Sequence, residues 1–600
     1  MMNPEPLPKT NLFPVKKILW IVAGTAVVIW FILQRNTTRP APTVSPRSSV
    51  APAAQPNSSL SNEMSSGSAS NASAARPQTL PGGQDERIER YPMLDSPDEV
   101  APEQEFHIQV SLTEEQLTPD AQIKNGQATP DGKLVFSLPA TQDNSWKLDV
   151  VLLAPGLEFT RGTTPEGSIV LPRQGDATSV TFYAKAGPKA AERGVVHLLA
   201  TFNYNGSYLA RIGRDIKVKS LSPVVTSEAP VTRRTVKYSG AVEDTSAGLD
   251  HAPVPADLTL IIKGEGIEVT SPYLGSETGT LPDGKGFPEW LAQHSPAMAG
   301  RGSEMIEPTK SRESAEGLGE ELYDHYAPDL FKKAFWMLVD ARGKNFRTIQ
   351  VYTDNPDIPW ELMRPVRANG NERQTFLGLN YSVARWHMTD GLRERPPFTE
   401  TMQKMFVIAP HYTGARTLDA EATETQALAQ LQGYSAVTGN MNGLRELFHN
   451  SPQGIVHFAG HGELNATHGD YEILLEDGEL DTTSWRSMAK DDPSSHTFYF
   501  FNACDVGQAK RAGNFVDGWG PAVLGKGASG YIGALFPVDD QTAAKFSIRF
   551  YQLLQQQMQI GPADVSAILE RTRREIYEST NNPTALAYVL YGDTNLEFKR

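Results

Sequence analysis

Two short glycine-bearing segments carry the residues best suited to covalent chemistry: HFAGHG, His457 to Gly462, and FNACDVG, Phe501 to Gly507. The first follows the apolar Gly454-Ile455-Val456 and the second Phe498-Tyr499-Phe500. Each reads as a buried strand opening into a loop. A thiol becomes a good nucleophile when a base or a cationic neighbour favours its thiolate, and an imidazole on an adjacent strand end fills either role. Cys504 is the candidate nucleophile and His461 its partner. The amides of Gly462 and Cys504 are candidate donors to a developing oxyanion. Cys504 is the only cysteine in 600 residues, so neither an intrachain disulfide nor a four-thiolate zinc site can form. The alternative for a lone cysteine, a small buried hydrophobe, ignores the paired histidine and glycines. His457 and His461 have H-x-x-x-H spacing, but Gly460 and Gly462 break the helix that a zinc pair requires and no Glu follows His457. No metal or other cofactor is expected.

The elements that would position this pair begin near residue 403. Strand patterns at QKMFVIAP, GIVHFAGHG, YEILLED, HTFYFFNAC and GASGYIGALFP alternate with helical patterns at Thr417 to Gln432, Met441 to His449, Gln541 to Gln559 and Pro562 to Tyr577. Such alternation predicts an α/β domain over 403–600 with a largely parallel sheet, helices on both faces, and a site outside the carboxyl ends of the strands. Residues 254–395 mix a strand at DLTLIIKG, a long helical pattern running through Pro328 and a strand at FRTIQVYT. Residues 106–222 alternate in short aromatic-rich runs between turn signals, which predicts a β-sandwich of immunoglobulin-like size. It shows no catalytic constellation and reads as an interaction or spacer module.

The chain is multidomain in its length alone. After a tail at 1–17, residues 18–33 form an uncharged apolar run, ILWIVAGTAVVIWFIL, flanked by Lys16, Lys17 and Arg35. It reads as a single-pass transmembrane helix, short for a bilayer unless its flanking cations snorkel. Bulky residues at its end argue against a cleaved signal. Three cations on either side leave the charge rule tied, and the Lys-Lys pair against the run favours a cytoplasmic N-terminus. Residues 34–105 are rich in Pro, Ser and Ala and read as a disordered tether. A formal net charge of −15 argues against nucleic-acid binding.

The run of Leu418, Ala420, Glu424 and Leu428, then IVHFAGHG, LLEDGELD, FFNACDVG, GYIGALFPVDD, FYQLL and LAYVLYGD, resembles the CHAT-domain family of caspase-like cysteine peptidases, in the clan of caspases and separases. IPWELMRP and FLGLNYSVARW are similar to the segment that precedes the catalytic half, so the unit is expected to begin near Asp257. The resemblance implies an endopeptidase acting on protein or peptide substrates, with His461 as general base, Cys504 as nucleophile and Gly462 in the oxyanion hole. An activating protein partner is a further expectation. His457 matches the first family histidine and is expected to pack on its strand. Asp539 and Asp540 match acidic positions that hold a basic P1 side chain in separases and related enzymes, and Asp505, directly after the nucleophile, is a third candidate for that pocket. Asp539 and Asp540 serve equally as caps of the helix that follows. The acidic stretch from Asp470 to Asp481 reads as a solvated face rather than a calcium loop. The competing reading is a membrane-tethered scaffold whose caspase-like domain has become a silent binding module.

Overall fold

The apolar runs Ile455–Ala459, Phe498–Asn502, Gly530–Ala534 and Tyr588–Tyr591 are buried along their whole length, as in strands covered on both faces. In the computed structural model they lie together at the heart of an eleven-stranded sheet. The structure describes residues 87–115, 134–137, 144–204, 207–219, 241–242, 254–282, 308–387 and 399–600, apart from 369, 371, 403, 466–468, 491–495 and 513–514. The expected membrane helix at 18–33 and most of the tether lie outside them. Among the described residues no helix is long and apolar enough to cross a membrane.

The strands of the large sheet, in chain order, are β1 (Leu258–Lys263), β2 (Gly266–Ser271), β3 (Gly275–Thr280), β4 (Thr348–Thr353), β5 (Ser382–His387), β6 (Met405–Ile408), β7 (Tyr434–Val437), β8 (Ile455–Ala459), β9 (Phe498–Asn502), β10 (Gly530–Ala534) and β11 (Tyr588–Tyr591). Their spatial order is β3-β2-β1-β4-β5-β11-β10-β9-β8-β6-β7. The sheet is mixed though largely parallel: seven of its ten neighbouring pairs are parallel and three antiparallel. β1, β4, β5 and β11 run parallel to one another, and so do β10, β9, β8, β6 and β7. The two blocks meet antiparallel at β10 and β11. The reason lies in the connection. A single crossover helix returns the chain for a parallel strand, but two helices separate β10 from β11, so the chain re-enters from the opposite end.

The helices that matter below are α1 (Pro308–Tyr326), α2 (Asp329–Arg342), α3 (Glu421–Leu428), α4 (Met441–His449), α5 (Asp540–Met558) and α6 (Val565–Thr580). The helical pattern read through Pro328 is two helices, because Pro328 is extended (φ −62°, ψ 145°) and precedes α2 as its N-cap. The core is one continuous cluster from Leu258 on β1 to Phe598. The sheet therefore begins near Asp257.

Upstream, a five-stranded and a six-stranded sheet, built almost wholly of antiparallel pairs, enclose a core that includes Leu94, Ile108, Leu148 and Phe202. Arg87–Asp95, placed in the tether by its sequence, is one of these strands and pairs with Glu105–Thr113. Its charges disguise it. Arg90 is buried, with its guanidinium donating to the carbonyls of Pro172 and Arg173 at 3.0 Å each. This module packs on the large sheet through Leu153, Leu199 and Tyr208 against Ile261 and Tyr352. Glu268 of β2 lies within the contact and accepts hydrogen bonds from Thr201 Oγ1 at 3.0 Å and Thr270 Oγ1 at 2.8 Å.

Candidate active site

β8 and β9 are parallel neighbours in the register Ala459↔Asn502, and the Gly460 amide donates to the Asn502 carbonyl at 3.3 Å. His461 and Cys504 each come two residues after that paired position, so both leave the same edge of the sheet side by side. They line one cleft with about 400 Å³ of open space, shared with Leu418, Glu421, Glu424, Asn502, Val538 and Asp540. Cys504 is half-buried, and the Val538 amide, just beyond β10, donates to its Sγ at 3.4 Å. An amide aimed at sulfur favours the thiolate.

His461 is held by three contacts, two to its ring and one to its backbone. Nε2 of His461 lies 2.7 Å from the Arg416 carbonyl, and a carbonyl only accepts, so Nε2 carries a hydrogen and in the neutral ring Nδ1 holds the lone pair. The Tyr412 ring packs edge-on against the imidazole at 4.7 Å between centroids. The Tyr412 hydroxyl accepts the His461 backbone N–H at 3.1 Å and donates to the Leu474 carbonyl at 2.7 Å.

Gly462 opens a hairpin with Tyr471–Leu474. The Leu474 amide donates to the His461 carbonyl at 2.9 Å and the Asn465 amide to the Asp470 carbonyl at 2.8 Å. The pair Gly462↔Ile473 is then a non-hydrogen-bonded one, and the Gly462 amide points away from that strand. A Cβ at 462 would stand 2.3 Å from the Cys504 carbonyl oxygen. Only glycine lets the two loops touch.

Behind the cleft lies a buried polar network centred on Glu424 of α3. Its carboxylate accepts from Nδ2 of Asn502 at 2.9 and 3.0 Å, from Nε2 of His457 at 2.9 Å and from the Ser547 hydroxyl. Nδ1 of His457 accepts from the Tyr551 hydroxyl at 3.1 Å, and Oδ1 of Asn502 from the Tyr588 hydroxyl at 2.6 Å. His457 is thus packed on its strand, fully buried, and away from the reacting atoms.

The three aspartates proposed for the specificity pocket separate. Asp540 lines the cleft. The carboxylate of Asp539 caps α5, accepting from the Thr542 amide at 2.9 Å and its hydroxyl at 2.7 Å. Asp505 sits in the turn after Cys504 at φ +60°, with Oδ1 accepting from Gln508 Nε2 at 2.8 Å, and is not among the cleft residues. The sequence reading missed Glu421, whose carboxyl is held above the ordinary value first by burial and then by Asp540, Glu424 and Glu476, against the opposing pull of His411. It also missed Tyr412 and the Arg416 carbonyl. Tyr412 offered no motif, and a backbone acceptor has no residue signature. Glu424 did leave a signal: it falls four residues before Leu428, on the buried stripe of α3. In the acidic stretch, Asp481 caps the helix Thr482–Met488 and Asp477 accepts the Met441 amide at 2.8 Å.

No curated protein matches the chain. Among solved structures, the complex of the Porphyromonas gingivalis RgpB pro- and mature domains overlaps 53% of this chain and 78% of its own at 12% identity and a TM-score of 0.28. The Saccharomyces cerevisiae separase–securin complex overlaps 55% of this chain and 21% of its own at 13% identity and a TM-score of 0.28. The family model of the CHAT domain matches residues 317–593, which contain the whole cleft. By that match the region bearing His461 and Cys504 is similar to the CHAT-domain family.

Proposed function

We propose that this CHAT-like domain is a caspase-like cysteine endopeptidase that cleaves protein or peptide substrates through His461 and Cys504. The observation that carries the reading is the 2.7 Å contact of His461 Nε2 with the Arg416 carbonyl, which leaves Nδ1 as the basic nitrogen of the neutral ring in a cleft shared with the only thiol of the chain. On this reading the thiol passes its proton to Nδ1 and the thiolate attacks the scissile carbonyl carbon. The Gly462 amide stabilises the oxyanion. Collapse of the adduct breaks the C–N bond as the imidazolium protonates the leaving amine, and a water deprotonated by the same imidazole then hydrolyses the thioester.

Glu421 and Asp540, with Glu424 at the floor, give the cleft a negative lining, which supports a preference for Arg or Lys in the substrate. The 18–33 run supports a single-pass anchor with the N-terminus in the cytoplasm, and an activating protein partner belongs to the same proposal. The test is cleavage of a mixed peptide library by the full chain in detergent, read by mass spectrometry, with Cys504→Ala alongside. Cleavage after basic residues that vanishes in the variant is expected. No cleavage, together with no labelling of Cys504 by an electrophilic peptide, would favour a silent scaffold.

A further inference from the structure

We propose that Asp540 is a positioning residue for the general base, acting through the backbone of the segment that carries Arg416. This rests on the peptidase reading above. Asp540 stands in the first turn of α5, yet its Oδ2 accepts the backbone N–H of Ala420 at 2.8 Å across the cleft. Ala420 is the N-cap residue of α3, has no capping side chain, and is 2% exposed. Its amide lies ahead of the helical ladder, and a buried N–H without an acceptor is costly. Asp540 supplies that acceptor.

Four residues earlier is the Arg416 carbonyl that receives Nε2–H of His461. The segment between is pinned at both ends. At its start the Thr417 amide and hydroxyl donate to the Gly414 carbonyl at 3.2 and 2.9 Å. At its end Ala420 is tied to Asp540, and the Glu424 amide donates to the Ala420 carbonyl at 3.0 Å. Released from Asp540, the segment loses this tie to α5, and the Arg416 carbonyl loses the position that holds the imidazole. Asp539, one residue away, cannot substitute, because its carboxylate is committed to Thr542.

The two roles open to Asp540 are separable by chemistry. Positioning needs an oxygen acceptor and no charge; a salt bridge to a basic substrate needs the charge. Asp540→Asn keeps the acceptor and Asp540→Ala removes it. The readout is the alkylation rate of Cys504 by iodoacetamide, a small neutral reagent, in the full chain in detergent at about pH 6, where the thiolate depends on its imidazole. As Cys504 is the only cysteine, every adduct reports this site. Asp540→Ala is expected to slow alkylation about tenfold or more, and to lower kcat on basic and neutral peptides alike, in proportion to a displaced general base. Asp540→Asn is expected to recover most of the alkylation rate. Urea midpoints of both variants separate misfolding from displacement.

An unchanged alkylation rate in Asp540→Ala, or an equal loss in Asp540→Asn, would overturn the positioning role while leaving the peptidase intact. A wild-type Cys504 that reacts no faster than a free thiol would overturn the peptidase reading and this one together.

Discussion

Asn502 and Glu424 are joined by a forked hydrogen bond in which one amide nitrogen reaches both carboxylate oxygens, at 2.9 and 3.0 Å. Asn502 is two residues from the nucleophile, and Glu424 is on the helix that follows the Arg416 segment. The bond therefore ties the two sides of the cleft beneath the reacting atoms. Glu424→Ala would leave the donors of Asn502, His457 and Ser547 buried without their common acceptor. The expected loss of stability is on the order of 3–5 kcal/mol, measured by the urea midpoint. Ser547→Ala removes a single donor and should cost about 1 kcal/mol.

Tyr412 touches His461 twice, through its ring and its hydroxyl. Tyr412→Phe keeps the edge-on packing and deletes the hydroxyl that accepts the His461 amide. The expected outcome in steady-state kinetics is a fall in kcat of about tenfold with little change in KM, since a misplaced catalytic group costs rate rather than ground-state binding.

Gly462→Ala drives a methyl group to 2.3 Å from the Cys504 carbonyl oxygen and 2.6 Å from Val506 Cγ1. The loops must part, carrying the oxyanion donor with them. Peptide cleavage should drop about a hundredfold or more. At the hairpin glycine Gly478 an added methyl group would meet nothing within 4 Å, so alanine there should change stability by no more than about 0.5 kcal/mol.

Glu268, at the contact between the two-sheet module and the large sheet, is completely buried and its carboxyl is pushed up to about 7, chiefly by burial, with Glu166 adding to the effect and the Thr270, Thr201 and Asn203 hydrogen bonds opposing it. Its folded value lies above its unfolded value of 4.5. The folded state then binds the extra proton between the two values, and stability falls as pH rises from about 4.5 to about 7 before levelling off. Thermal melts of Glu268→Gln should show that slope flattened, with a gain of up to about 3 kcal/mol above neutrality.

Much of this arrangement was legible in the residues. Met441–His449 is the helix its apolar spacing predicts, and the buried runs before His461 and Cys504 fix two adjacent strands whose ends carry the pair. What stayed hidden had nonlocal causes. The reversed strand direction at β10 and β11 depends on how α5 and α6 turn the chain, which no strand pattern records. Arg90 made a buried strand resemble a tether because its partners, Pro172 and Arg173, are distant carbonyls. Asp539 and Asp540 are adjacent and chemically alike, yet one caps its own helix and the other reaches Ala420. Only the direction of each side chain distinguishes them.

The place of β11 bears on how the protein is made. It fills the gap between β5 and β10, yet it is synthesised about 200 residues after β5. Until it arrives, β5 and β10 are open edges of the kind that pair with the wrong chain. Closure over so long a separation is slow, so the edge of β5 stays open while about the last 200 residues are made. The step that completes the sheet is the insertion of a single four-residue strand, Tyr588–Tyr591.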